Sequence, residues 1–170
     1  RFRATQAHVT EFFEQILLRR WAEKEWAYQQ IPPRIFVEEV LRAADGGELK
    51  DYRFYTFDGV VRAVNVGCPS YRYNRENAFF TPDWEFIPLT VYEEKLPDPL
   101  PGRPGLLAEM VAAAERLGAG LDFIRVDLYE TTRGVMLGEM TVYPDSGLPD
   151  TPTACPRFNQ WLGDAWRMAV

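Results

Sequence analysis

The stretch that decides the fold reads Phe123-Ile124-Arg125-Val126-Asp127-Leu128-Tyr129-Glu130-Thr131, then Thr132-Arg133-Gly134, then Val135-Met136-Leu137-Gly138-Glu139-Met140-Thr141-Val142-Tyr143-Pro144. Branched and aromatic residues fill both arms, and a short polar turn ending in glycine divides them. This pattern predicts a β-hairpin. A three-residue loop Thr132-Arg133-Gly134, with Gly134 in the left-handed position, sets Asp127 opposite Glu139 and Arg125 opposite Thr141. A glycine bulge would slip that register by one residue. Side chains directly across a sheet have Cβ atoms about 4.5–5.5 Å apart, and like charges there repel. Two carboxylates so placed need a cation between them, or one must hold a proton. Oxygen-only ligands at that separation suit Mg²⁺ better than zinc. The plain alternative is two solvated acids on a strand face. Against it stand the apolar neighbours Phe123, Ile124, Val126, Leu128, Met136, Leu137 and Met140. Arg125 falls on the same face as Asp127 by period-two alternation.

The chain has 170 residues, enough for one domain with a sizeable core. A hydrophobic content of 46% argues against disorder. A net charge of −6 argues against a general nucleic-acid binder or a basic membrane-surface protein. No apolar run approaches the roughly 18 residues of a membrane-spanning helix, and no signal peptide is expected at the start. His8 is the only histidine, which leaves no room for a His-rich zinc site or a Ser-His-Asp triad. Cys68 and Cys155 form no CxxC, so a reducing compartment, the cytoplasm, is the expectation. Of 19 basic residues only Lys24, Lys50 and Lys95 are lysines, and such an arginine excess suits phosphate or carboxylate ligands. No GxxxxGK[ST] occurs, and Gly118-Ala119-Gly120 lacks the third glycine of a dinucleotide fingerprint. The first residue is Arg1, not methionine, so a piece of a longer protein is expected.

Working outward, residues 6–29 predict a helix, with Val9, Phe12, Phe13, Ile16, Leu17 and Trp21 at helical spacing and Thr10 as candidate N-cap. Pro32-Pro33 stops it. Arg34 to Leu41 predicts a strand. Asp51 to Phe57 and Val60 to Val66 predict a second hairpin, joined by the type I′ signal Asp58-Gly59. Residues 67–83 read as an irregular loop and Trp84 to Leu89 as a short strand. Residues 97–104 hold four prolines and form a connector. Leu106, Leu107, Met110, Val111, Ala114 and Leu117 mark an amphipathic helix that Gly118 and Gly120 end. Pro144 to Pro156 reads as a loop and Arg157 to Met168 as a last helix. The order predicts an α+β domain with a largely antiparallel sheet flanked by helices.

Other residues carry two readings each. Glu38-Glu39, after the apolar Ile35-Phe36-Val37, are either a strand leaving the core or a hinge that takes an adenine edge and a ribose hydroxyl. Asp51 and Arg53 share a strand face: a weak charge pair, or a ribose or phosphate contact. Arg72 and Arg75, among Tyr71, Tyr73 and Asn74, are ordinary loop residues or a bidentate grip on phosphate or a substrate carboxylate. Pro144-Asp145-Ser146-Gly147 is a turn, or a set of backbone amides beside a metal. His8 reads as a surface or partly buried residue.

Arg125-Val126-Asp127-Leu128-Tyr129 followed by Gly138-Glu139-Met140-Thr141-Val142-Tyr143-Pro144 resembles the metal-binding hairpin of the ATP-grasp fold. With Glu38-Glu39-Val40-Leu41, Asp51-Tyr52-Arg53-Phe54-Tyr55-Thr56-Phe57-Asp58-Gly59 and the Trp84 segment, the chain resembles the TupA-like ATP-grasp family. That bacterial family is associated with teichuronopeptide and other cell-surface polysaccharide biosynthesis, hence the cell wall. The resemblance runs from about Trp26 to Gly147. It implies Asp127 and Glu139 as Mg²⁺ ligands. Thr141 stands where many ATP-grasp enzymes have asparagine and is the third candidate ligand. It implies Arg125 as the catalytic residue beside the transferred phosphate, Glu38, Glu39, Val40 and Leu41 as the adenine hinge, and Asp51 and Arg53 near ribose and phosphates. It implies ATP and Mg²⁺ as cofactors and a small-molecule, glycan or peptide substrate. The implied activity is a carboxylate–amine ligase working through an acyl phosphate. A non-catalytic ATP-grasp-like binding module and a sugar kinase on the same fold are the alternatives. The resemblance also implies that this chain is the C-terminal portion of an ATP-grasp protein, with most of the lobe before the hinge lying outside it.

Overall fold

The computed structural model describes residues 5–18, 30–67, 78–88, 96–142, 144 and 156–167. The chain divides into two units, Arg1–Val40 and Leu41–Val170.

In the first unit, helix α1 spans Gln6–Leu18. Thr5, not the expected Thr10, caps it: its Oγ1 accepts a bond from the backbone N–H of His8 at 3.4 Å and meets His8 Nδ1 at 2.9 Å. A side chain ahead of the first turn reaches a free amide; Thr10, inside the helix, has none to reach. The expected continuation over 19–29 lies outside the described residues. The strand expected over Arg34 to Leu41 does not form, and Phe36, Val37 and Val40 are exposed. An apolar run becomes a strand only where a neighbour takes up its backbone hydrogen bonds.

In the second unit that pairing begins just past Leu41. Thr132 N–H donates to Arg42 O at 3.0 Å, Ala44 N–H donates to Glu130 O at 3.3 Å, and Ala43 bridges Thr131. The unit is built on strands β1 (Asp51–Phe57), β2 (Val60–Gly67), β3 (Ala78–Phe80), β4 (Phe86–Ile87), β5 (Ile124–Thr131) and β6 (Gly134–Thr141). They form one six-stranded sheet in the order β4-β3-β2-β1-β5-β6, and every pairing is antiparallel. Helices α2 (Leu107–Gly118) and α3 (Pro156–Gly163) complete an α+β fold. β3 falls where the sequence predicts a loop: three residues are too few to show a period. β4 is a fragment of the expected Trp84 to Leu89 strand. Trp84 itself leaves the ladder at φ 71° and stacks on Phe80 with ring centroids 4.3 Å apart.

Both hairpins turn tightly and then bulge. Asp58 and Gly59 have φ values of 47° and 72°, as a type I′ turn requires. Phe57 pairs with Val60, Thr56 with Val61 and Tyr55 with Ala63, leaving Arg62 as the extra, exposed residue. In the second hairpin Thr131 pairs with Gly134, so the turn is one residue tighter than expected. Leu128 then pairs with Leu137 and Asp127 with Glu139, leaving Gly138 as the extra residue.

The two sheet faces bury different things. Tyr52, Phe54, Val64, Val66, Val126 and Leu128 pack against Leu107, Met110 and Ala114 of α2. Gly118 lets α2 sit down on the sheet: a Cβ there would lie 2.5 Å from Thr56 Cγ2. Each such apolar side chain, once buried, contributes about 1.5–3 kcal/mol. On the opposite face α3 covers only one end, where Phe158, Phe79, Ala63 and Ile87 cluster, with Phe158 and Phe79 rings 4.4 Å apart. The β5–β6 end of that face carries polar side chains.

Candidate functional site

Strand pairing aligns two rows of side chains on the face opposite α2. The first runs Glu139 (β6), Asp127 (β5), Arg53 (β1), Asn65 (β2). The second runs Thr141, Arg125, Tyr55, Ala63. Direct cross-strand partners share a face, so acids, bases and amide meet side by side. The register depends on both bulges. With the tight turn alone, Asp127 would face Gly138 and Arg53 would face Val64; one extra residue in each outer strand brings Glu139 and Asn65 into line instead. Glycine is required at the second bulge because the Tyr129 ring lies over it: a Cβ on Gly138 would stand 2.5 Å from Tyr129 Cε2.

Arg125 sits at the centre of the second row. Its Nε donates to Asp127 Oδ1 at 2.8 Å and its Nη2 to Asp127 Oδ2 at 2.8 Å. The same Nη2 donates to Thr141 Oγ1 at 3.1 Å and lies 3.6 Å from Glu139 Oε2. The Thr141 hydroxyl in turn donates to Glu139 Oε1 at 2.8 Å. A guanidinium thus stands between the facing acids. Asp127 is 3% exposed, whereas the Glu139 side chain is 59% exposed, so one acid is anchored and the other reaches into solvent.

Burial pushes the Asp127 carboxyl above its ordinary 3.8, with the charge of Asp51 adding to the push, against the downward pull of Arg125 and Arg53. Burial works against the Arg125 charge too. There the bond to Asp127 and the charges of Asp127 and Glu139 prevail, and the guanidinium is held more firmly protonated. A two-point bond to a nearly buried carboxylate explains that outcome.

Arg53 organises the neighbouring strands. Its Nε donates to Asp51 Oδ2 at 2.9 Å and its Nη1 to Asn65 Oδ1 at 3.3 Å, while Asn65 Nδ2 donates to Ala78 O at 3.2 Å. The guanidinium lies over Gly67, where a Cβ would stand 3.1 Å from Nη2. Asp51 Oδ1 is buried and, among the described residues, accepts no hydrogen bond. A buried acceptor in that state marks a place where a donor belongs.

The expected residues Asp127, Glu139, Thr141, Arg125, Asp51 and Arg53 are therefore brought together on one face. Glu38, Glu39 and Val40 belong to the first unit and Leu41 to the second. Arg72, Arg75 and Asp145-Ser146-Gly147 lie outside the described residues. Sequence reasoning missed Asn65, Tyr55 and Tyr129. Asn65 had a signal, a polar residue inside the apolar run Val60–Gly67, but its face followed only from the bulge. Among the described residues no group of three or more His, Cys, Asp or Glu side chains is placed to hold a metal ion. The acidic pair offers two carboxylates and a hydroxyl, which is how Mg²⁺ is held when substrate phosphates complete its shell.

A six-stranded antiparallel sheet flanked by helices is consistent with an ATP-grasp-like fold. The family model described as TupA-like ATPgrasp matches residues 14–167, and the chain belongs to that family. Membership supports an ATP-grasp, ligase-type function in general terms. No curated protein and no solved structure matches the chain. Among the described residues no helix is long and apolar enough to cross a membrane.

Proposed function

We propose that this chain is the C-terminal portion of an ATP-grasp domain and serves an ATP-dependent carboxylate–amine ligase. The observation that carries the reading is the convergence of Asp127, Glu139 and Thr141 oxygens on one point of one sheet face. Asp127 and Glu139, with Thr141 beside them, are the groups to hold Mg²⁺. All their donor atoms are hard oxygens, and two carboxylates leave room for phosphate oxygens in the shell. A bound Mg²⁺ supplies charge neutralisation across the transferring phosphate.

The remaining roles belong to the chain's own groups. Arg125 meets the charge of the transferred phosphoryl group, for which a planar guanidinium is suited. Asp51 and Arg53 stand near the ribose and phosphates of the nucleotide by the family pattern. Glu38, Glu39, Val40 and Leu41 take the adenine by the family pattern, and Arg72 and Arg75 take phosphate or a substrate carboxylate. In the reaction a substrate carboxylate oxygen attacks the γ-phosphorus of ATP and ADP leaves. An amine then attacks the acyl carbon and phosphate leaves. The proposed product is an amide joining an amino acid to a uronic acid or peptide, made in the bacterial cytoplasm for cell-surface polysaccharide such as teichuronopeptide.

The test is Asp127→Asn in the full-length protein. ATP-dependent phosphate release should fall by about 10²–10³-fold, the scale of losing a preorganised electrostatic partner. Unchanged ATP consumption would count decisively against the assignment. An amide product separates the ligase from a sugar kinase, which would leave a stable phosphoester.

A further inference from the structure

We propose that Arg125 is an internal occupant of the metal position: its guanidinium holds the three ligand side chains ready and gives them up when a divalent cation arrives. The inference rests on the metal role assigned above to Asp127, Glu139 and Thr141. One nitrogen, Nη2, is 2.8 Å from Asp127 Oδ2, 3.1 Å from Thr141 Oγ1 and 3.6 Å from Glu139 Oε2. These are oxygens of all three proposed ligands, gathered round a single cationic atom. Nε closes the second Asp127 oxygen at 2.8 Å. Neither oxygen of the anchored acid is left without a bond.

Guanidinium and metal ion cannot share this place. Mg²⁺ sits about 2.0–2.1 Å from its oxygens, so it would come within contact range of Nη2. Three positive charges at that distance in a largely buried site repel strongly. Arg125 must therefore turn away when the ion enters. Its strand partner Tyr55 lies beside it on β1, while Thr141 and Glu139 lie on the outermost strand, where the Glu139 side chain reaches solvent. The guanidinium released from Asp127 has lost a bidentate anion, and a nucleotide phosphate delivered with the ion replaces it in kind.

The arrangement answers a physical need. Asp127 and Glu139 face one another across strands, with Asp51 on the same sheet face as Asp127. Without a cation, repulsion across the strands would drive Glu139 outward. Arg125 keeps the pair in register until the ion takes over, so the ligands need little rearrangement on binding.

The probe is Mn²⁺ alone, titrated into the full chain and followed by electron paramagnetic resonance. Arg125→Met should bind Mn²⁺ at least tenfold more tightly than the parent, because the competitor is gone. Its melting temperature without metal should drop and recover with Mn²⁺. Equal or weaker Mn²⁺ binding by Arg125→Met overturns the proposal. A second measurement needs no substitution. The Arg125 Nε–H resonance, set by its bond to Asp127, should move on saturation with Mg²⁺ and ATP; a resonance that stays put while Asp127 responds overturns it. Asp127→Asn separates the two layers. Loss of Mn²⁺ binding in that variant, without tighter binding in Arg125→Met, defeats the exchange but keeps the metal site. Mn²⁺ binding untouched by Asp127→Asn defeats both.

Discussion

The β1–β2 and β5–β6 hairpins solve one geometric problem in two ways. Each closes with a tight two-residue turn and each carries one extra residue in its outer strand. In the first the extra residue is Arg62, pushed into solvent, with Val61 N–H beside it donating to Glu115 Oε1 of α2 at 3.4 Å. In the second it is Gly138, pressed under the Tyr129 ring. Beyond its bulge β2 is buried on both faces, against two helices; β6 is an edge strand with half of its residues exposed. The same device thus serves packing in one place and presents charge in the other. A bulge re-aims every side chain beyond it, because a one-residue slip exchanges the two faces.

Four expected outcomes test the contrast. The largest concerns what both hairpins share. Phe54, fully buried in the strand that joins β2 to β5, should cost about 3–5 kcal/mol on replacement by alanine, read as a fall in the urea midpoint. A loss below 1 kcal/mol would mean that the shared core does not hold the two hairpins together. Next comes Gly138→Ala, which drives a methyl group against Tyr129. Overpacking of this kind costs about 1–3 kcal/mol, and adding Tyr129→Ala should recover part of it in a double-mutant cycle. Independent, additive effects would remove the aromatic lid from the explanation of the bulge.

Asn65→Ala is third. It strips an acceptor from Arg53 and a donor from Ala78 O, for a loss of about 1–2 kcal/mol. It should also weaken nucleotide binding if Arg53 serves the site. Arg62→Ala is the smallest, within about 0.5 kcal/mol of the parent. It is the counterpart of Gly138→Ala at the matching position, and equal sensitivity of the two would erase the distinction between a structural and a presenting bulge.

A pH experiment sharpens the comparison from the side of charge. Asp45, exposed in the loop before β1, accepts from Gly47 N–H at 2.8 Å and lies 3.2 Å from Lys50 Nζ. The bond from Gly47, then Lys50, holds its carboxyl below the ordinary 3.8. Its contribution to stability is therefore present above pH 3.8 and fades as pH falls through the lowered value. The Asp45 carboxyl carbon shift should titrate below 3.8 and carry the Gly47 amide with it. Titration at or above 3.8 would show that the turn does not hold the charge. Asp127 moves the other way because burial, not a solvated turn, dominates it.

Periodicity and turn chemistry made much of the fold legible. Asp58-Gly59 announced the first hairpin, and the spacing of Leu107, Met110 and Ala114 announced α2. The facing of Asp127 with Glu139 was also read correctly, although by another route: a three-residue loop was expected where a tighter turn and the Gly138 bulge produce the same register. The strand expected at Arg34 to Leu41 failed because apolar content alone cannot supply a pairing partner. Thr10 failed as a cap because Thr5 already meets the first free amide.

The order of residues alone determined which groups alternate on each strand, where the turns fall, and hence that Arg125 and Asp127 share a face. Bulges, edge position and cover are properties of several strands at once, and only the folded chain decided them. It alone set Asn65 beside Arg53, buried Asp127 while leaving Glu139 open, and closed the guanidinium over the acidic pair. The physical reason is that local sequence dictates backbone torsions within a few residues, whereas desolvation and charge pairing depend on neighbours that the chain brings in from elsewhere.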